Sequence, residues 1–160
     1  MIVRVAVLTV SDAGARGERE DRSGFAIATW AREQGYQVID HRVVPDDTDQ
    51  IACQLMHWAD DGDAKIILTT GGTGLGPRDV TPEATRSVIE REATGLAEAL
   101  RSAGLRQTPR AALSRGVAGT RGNALIVNLP GSPAAVADGL AFLGPLIEHI
   151  VALLRGDTVH

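Results

Sequence analysis

A single cysteine, Cys53, stands among 160 residues. One thiol excludes an internal disulfide and any multi-cysteine metal site, and Cys53 itself is expected as a small, half-buried helix residue. No run of about 18 apolar residues occurs, and no basic-then-apolar segment opens the chain, so neither a membrane span nor a secretory signal is expected. Lysine occurs once, as Lys65, and the formal net charge is −4, which argues against a general grip on nucleic acid. His41, His57, His149 and His160 stand at no metal-ligand spacing, and none neighbours a serine motif. Ser132 lies between Gly131 and Pro133 rather than in a G-x-S-x-G elbow, so a hydrolytic triad has no support. Repeats, low-complexity tracts and linkers are missing. The expectation is one soluble, cytoplasmic domain over residues 1–160, long enough to bury roughly 70% of its unfolded surface without staples.

What is present is an alternation of strand and helix patterns. Residues 2–10 form an apolar, valine-rich run broken only by Arg4, as in a strand buried on both faces. A loop follows, then a helix capped by Asp21 or Ser23, with Phe25, Ala28 and Trp30 as apolar contacts and Gly35 as its stop. Further strands are expected at 36–44, 64–70 and 124–129, the last after a Gly122-Asn123 turn. Helices are expected at 49–59, 82–91, 96–103 and 144–154, and one beginning at Pro133. This order argues a three-layer α/β/α fold with a mostly parallel, Rossmann-like sheet. In such sheets ligands bind outside the carboxyl ends of the strands, near a topological switch point. Ser11-Asp12, Asp46-Asp47, the 71–76 loop and Pro130-Gly131-Ser132 all follow strands, so they should converge on one edge.

The most informative stretch is 68–85. Leu68 ends a strand, and four glycines then fall within six residues, at Gly71, Gly72, Gly74 and Gly76. Thr81-Pro82 reads as a helix start, with Thr81 as N-cap. Strand, glycine loop and helix N-terminus together aim backbone N–H groups at an anion. No Gly-Lys-Ser/Thr follows, so this is not a Walker A loop, and the spacing is wrong for G-x-G-x-x-G. Asp79 within a phosphate cradle makes sense when a divalent cation joins acid to phosphate, as Mg²⁺ does with one or two carboxylates. Asp12, Asp46 and Asp79 are the candidate cation ligands; Asp46 serves equally well as a helix cap and Asp12 as a turn former. Thr69, Thr70 and Thr73 can offer hydroxyls. Arg78 or Arg115 would supply positive charge.

Several separated motifs resemble the MogA/MoaB family of molybdenum-cofactor biosynthesis proteins, which includes the G domain of gephyrin. They are Val10-Ser11-Asp12, Asp21-Arg22-Ser23-Gly24, Pro45-Asp46-Asp47, 69–74, 78–84, Leu113-Ser114-Arg115 and 129–133. The resemblance spans nearly the whole chain. It implies transfer of AMP from Mg-ATP to the phosphate of molybdopterin, with pyrophosphate released. It places Asp79 and Asp46 in catalysis and metal binding. It places Ser11, Asp12, Thr70, Gly71, Gly72, Thr73, Gly74, Ser114, Arg115, Pro130, Gly131 and Ser132 at the substrates. It also implies a homotrimer and hand-over of product to the metal-insertion protein of the pathway. The alternative within the family is a non-catalytic molybdopterin-binding or scaffold protein.

Overall fold

A computed structural model describes residues 2–157. Six strands form one sheet: β1 (Arg4–Val10), β2 (Gln37–Val44), β3 (Ile66–Thr70), β4 (Arg91–Glu92), β5 (Ala118–Arg121) and β6 (Ala124–Leu129). Their order is β2-β1-β3-β6-β5-β4. The first four in that order are parallel; β5 and β4 add an antiparallel edge, β5 through the hairpin at Gly122. The expected three-layer architecture is the one observed.

Side chains alternate across the sheet, as a two-residue period requires. Val5 and Val7 of β1 enter one core with Ile27, Val136, Leu143, Ile147 and Val151. Ala6, Leu8 and Val10 enter the other with Ile51, Leu55, Trp58 and Val88. The first core is covered by α2 (Arg22–Glu33), α5 (Thr94–Leu105), α6 (Pro133–Leu143) and α7 (Ile147–Leu154). The second is covered by α3 (Thr48–Asp60) and α4 (Thr81–Val88). A one-turn helix, α1 (Asp12–Ala15), follows β1 directly where only a loop was expected, because the Ser11 hydroxyl accepts from Gly14 N.

Four local expectations are corrected. The helix from Pro82 stops at Val88, because Glu90 N bonds Thr120 O and draws the chain into β4. Thr81 does not cap α4; Val80 holds that position without a side-chain bond, and the Thr81 hydroxyl donates to Gly71 O instead. Phe25 points outward, 64% exposed, with its ring edge-on to His41. Cys53 lies on the exposed side of α3. His160 falls outside the described residues.

Candidate active site

Strand order reverses between β1 and β3, since β1 connects outward to β2 and β3 lies on its other side. The chain segments leaving these neighbouring strands diverge there and open a crevice. Gly71 and Gly72 span the crevice floor with φ of +95° and +68°, a backbone region that L side chains rarely adopt. A Cβ on Gly71 would meet Val10 O at 2.4 Å, and one on Gly72 would meet the Thr81 hydroxyl at 2.3 Å. The loop therefore lies flat against β1 and α4, and only glycine fits. It is pinned by Gly71 N to Leu129 O, Thr81 N to Gly72 O and the Thr81 hydroxyl to Gly71 O. The Thr70 hydroxyl donates to Pro130 O at 2.7 Å, tying the end of β3 to the turn after β6.

Two cavities flank this bridge. The first, about 730 Å³, lies under the segment after β1 and includes Thr9, Ser11, Asp21, Ser23 and Asp46. The second, about 680 Å³, lies between α5, α6 and the 107–116 segment and includes Thr73, Arg101, Ser114, Asn128 and Asp138. Gly71, Gly72, Asp79, Gly131 and Ser132 line both. Ser132 caps α6 by accepting from Ala135 N, so the positive end of that helix sits at the junction. Among the described residues the amides of Gly72, Thr73, Gly74 and Gly131 donate to no protein acceptor. Bare N–H groups beside a helix N-terminus suit phosphate oxygens.

Three aspartates approach the junction in different states. Asp12 and Asp46 exchange bonds, each carboxylate accepting from the other's backbone N–H at 3.0 and 2.9 Å. Arg78 then closes on Asp12 with Nε and Nη2 at 3.1 Å each, which holds the Asp12 carboxyl below its ordinary value. Asp46 is spared cap duty, because Asp47 accepts from Gln50 N at the start of α3. Burial pushes the Asp46 carboxyl up, and the carboxylates of Asp12 and Asp79 push it further. Asp79 accepts from Gly76 N at 2.9 Å through Oδ2; its other oxygen, like Asp46 Oδ1, accepts nothing among the described residues. A Cβ on Gly72 would lie 3.1 Å from Asp46 Oδ1, and one on Gly74 would lie 2.9 Å from Asp79 Oδ2, so both carboxylates lie over the glycine bridge.

Of the residues expected at substrate, the structure brings Ser11, Asp46, Thr70, Gly71, Gly72, Asp79, Gly131 and Ser132 to the first cavity. Thr73, Gly74, Ser114 and Pro130 line the second. Asp12 and Arg115 line neither. Arg115 is a clamp on the loop instead. Its Nε donates to Gly74 O and its Nη2 to Asp79 O, both at 2.8 Å, while Nη1 pairs with Glu83. Both arginines expected to supply charge to phosphate thus have protein partners, Arg78 in Asp12 and Arg115 in Glu83 and two loop carbonyls. No three acidic, histidine or cysteine side chains converge as a metal cage among the described residues, and Asp12 is engaged by Arg78, leaving Asp46 and Asp79 as a pair. Asp21, a cap candidate and part of a family-like motif in the sequence, has a further role in the structure. It does accept from Gly24 N, and its second oxygen takes the Thr9 hydroxyl and lies 2.6 Å from His41 Nε2. Burial opposes ionisation of Asp21, but these bonds outweigh it and hold the carboxyl below its usual value.

A family model described as a probable molybdopterin binding domain matches residues 6–149. The chain belongs to that family. It is 36% identical over 157 residues to the molybdopterin adenylyltransferase of Helicobacter pylori, covering 97% of this chain and 89% of that protein. Identity to the molybdenum cofactor synthesis protein cinnamon of Drosophila melanogaster is 42% over 158 residues, 98% of this chain but 26% of that longer protein. Among solved structures, the molybdopterin biosynthesis enzyme MoaB of Thermus thermophilus superposes with a TM-score of 0.91 at 50% identity, covering 97% of this chain and 98% of that one. The tungsten cofactor synthesizing protein MoaB of Pyrococcus furiosus gives 0.88 at 33% identity, covering 96% and 98%. The family's molybdopterin-binding architecture and the two-cavity crevice thus coincide in one chain.

Proposed function

We propose that this chain adenylylates molybdopterin, taking AMP from ATP and releasing pyrophosphate. The observation behind this reading is the shared wall. Two cavities of substrate size meet at Gly71, Gly72, Asp79, Gly131 and Ser132. Joining two phosphorylated molecules needs two binding spaces and one place where their phosphates meet. The pterin's phosphate oxygen attacks the α-phosphorus; a new P–O bond forms as the bond to the β-phosphate oxygen breaks, and the pair leaves with pyrophosphate. The chain's work is positioning and electrostatics, as in other phosphoryl-type transfers. The free amides of the glycine loop and the α6 N-terminus bind the phosphate oxygens at the junction.

Mg²⁺ fits the donor set. Asp46 and Asp79 each present one hard oxygen that no donor among the described residues occupies, and a cation between them would relieve the like-charge repulsion that adds to burial in raising the Asp46 carboxyl. Those two residues would hold it, leaving its other positions to phosphate and water. Bound there, it would neutralise charge on the reacting phosphates.

The same reading includes a cytoplasmic homotrimer that hands its product to a metal-insertion protein. Helical stretch Pro133–Leu154, mean hydropathy 1.6, is long and apolar enough to cross a membrane by length and composition, yet only 33% of its most apolar window is buried. Burial against sister subunits accounts for that surface in a chain whose fold is otherwise a soluble α/β domain. The test is anaerobic incubation with molybdopterin, ATP and Mg²⁺. Adenylyl-molybdopterin and pyrophosphate should appear in equal amounts, and only when all three are present. Tight pterin binding with no product would assign the chain to the scaffold role.

A further inference from the structure

The segment between α1 and α2 opens onto the first cavity, which Arg19, Arg22 and Ser23 line beside Ser11 and Asp46. Arg19 is exposed and, among the described residues, its guanidinium has no hydrogen bond and no ion pair. Arg22 differs, since its Nε pairs with Glu20 at 3.5 Å. Ser23 is only 8% exposed, yet its hydroxyl has no partner among the described residues. Buried hydroxyls are ordinarily paired, and a helical serine commonly turns back on the carbonyl one turn earlier. Ser23 does neither. Its backbone N–H is unclaimed as well. Of the three amides that open α2, Arg22 N goes to Glu20 O and Gly24 N to the Asp21 carboxylate, while Ser23 N donates to nothing among the described residues. The acids of the same segment are engaged: Asp21 by Gly24 N, the Thr9 hydroxyl and His41, and Glu20 by Arg22. The cavity wall therefore presents one guanidinium, one hydroxyl and one amide with donors to spare.

We propose that Arg19 and Ser23 form an anion subsite for the outer phosphates of the nucleotide, the pair that leaves as pyrophosphate. The inference rests on the adenylylation reading and deepens it, by naming residues that hold the leaving group. A triphosphate carries more negative charge than one divalent cation neutralises. The amides of the glycine bridge and the α6 N-terminus meet the phosphates that react, so the outer ones need donors of their own. Arg78 and Arg115 have protein partners, and Arg19 has none. A guanidinium fork matches two oxygens of one phosphate. The hydroxyl and amide of Ser23 add two donors in fixed positions at the positive end of α2. Arg19 donates and cannot accept, so an anion gains more from it than a neutral group does. Charge builds on the outer phosphates as the bond to the β-phosphate oxygen breaks, and donors placed there favour that state.

The test is calorimetric titration of ATP, AMP and inorganic pyrophosphate, each with Mg²⁺, into the full chain and into Arg19→Ala and Ser23→Ala. Neither side chain makes an internal bond, so the thermal melts of both variants should match wild type. Wild type should bind ATP more tightly than AMP. Arg19→Ala should weaken ATP and pyrophosphate about tenfold, the loss of charge-assisted bonds, and Ser23→Ala should weaken them about threefold to tenfold. AMP affinity should not move in either variant, so the ratio of ATP to AMP affinity should fall in both. An unchanged ratio in both variants would overturn the subsite. A loss of AMP affinity equal to the loss of ATP affinity would also overturn it, because the contact would then lie on the nucleoside or the α-phosphate. The product assay judges the activity separately. An unchanged ratio with product still formed sinks the subsite alone, and a fallen ratio in a chain that forms no product sinks the adenylylation reading alone.

Discussion

At the amino end of the sheet, Asp60 meets Arg121 through two bonds of 2.9 Å, and Asp63 meets Arg4 and Lys65. At the carboxyl end, Asp46 and Asp79 line a cavity together with Arg19 and Arg22, yet neither carboxylate is in an ion pair among the described residues. The residue type is the same and the strands are shared. What differs is the use of the available arginines. At the carboxyl end, Arg78 and Arg115 are present but spent, Arg78 on Asp12 and Arg115 on Glu83 and loop carbonyls. Asp46 has no ion pair of its own, and burial with the like charges of Asp12 and Asp79 opposes its ionisation, which costs stability. Under the proposed function, a cation arriving with substrate would offset that cost.

Substitutions at the two ends should therefore separate catalysis from stability. The largest effect belongs to Asp79→Asn. The amide oxygen can still accept from Gly76 N, so the loop keeps its shape. Turnover should fall on the order of 10²–10³-fold, the size of losing one electrostatic contact to the transition state, while the thermal midpoint stays in place. Single-turnover rates and melts of the two proteins, run together, check this. A variant with full turnover would take Asp79 out of the mechanism.

Arg115→Lys acts on the clamp. Lysine offers a point charge where arginine's fork reaches Gly74 O, Asp79 O and Glu83 together. About 1–3 kcal/mol of stability should be lost, with roughly tenfold in turnover as the glycine loop loses its register. Denaturant titration and kinetics measure the two. Unchanged turnover with lowered stability would show that the clamp holds the fold and not the site.

Asp46→Asn should act in the opposite sense on stability. Its folded carboxyl is raised by burial and by Asp12 and Asp79, so ionisation is harder in the folded chain than in the unfolded one. Such a group favours folding below its unfolded value and loses that contribution as pH rises through the folded one. In metal-free protein at neutral pH the Asn variant should melt slightly above wild type, and the gap should close in acid. Melts across a pH series read it directly; a variant that melts lower at neutral pH contradicts the repulsion. The smallest effect is expected at the other end. Arg121→Ala breaks a partly exposed pair with Asp60 and a bond to Val88 O, which should cost about 1 kcal/mol and leave turnover untouched.

Much of this geography is written locally. Each strand's apolar run, the turn at Gly122, the glycine bridge and the helix start at Pro133 depend on neighbours in sequence, and all are legible there. So is convergence of the strand-end loops, once the sheet is parallel. The fates of Arg78 and Arg115 are not, because their partners lie 66 and 32 positions away. The hydroxyl of Thr81 goes to Gly71, 10 positions back, rather than to its own helix, because the glycine loop folds back over the start of α4. Strand β4 forms only because β5 is there to pair with it. The second cavity depends on how α5 and α6 face each other, so Arg101 and Asp138 attract no notice as separate residues.

Two substrates that occupy two spaces and meet at one glycine bridge must be able to bind together. The most direct test is co-binding. Anaerobic calorimetry would titrate a non-hydrolysable ATP analogue with Mg²⁺ into the chain, first alone and then saturated with molybdopterin. A ternary complex should form, with one nucleotide bound per chain and affinity no weaker in the second titration. Mutual exclusion, with each ligand displacing the other, would contradict it.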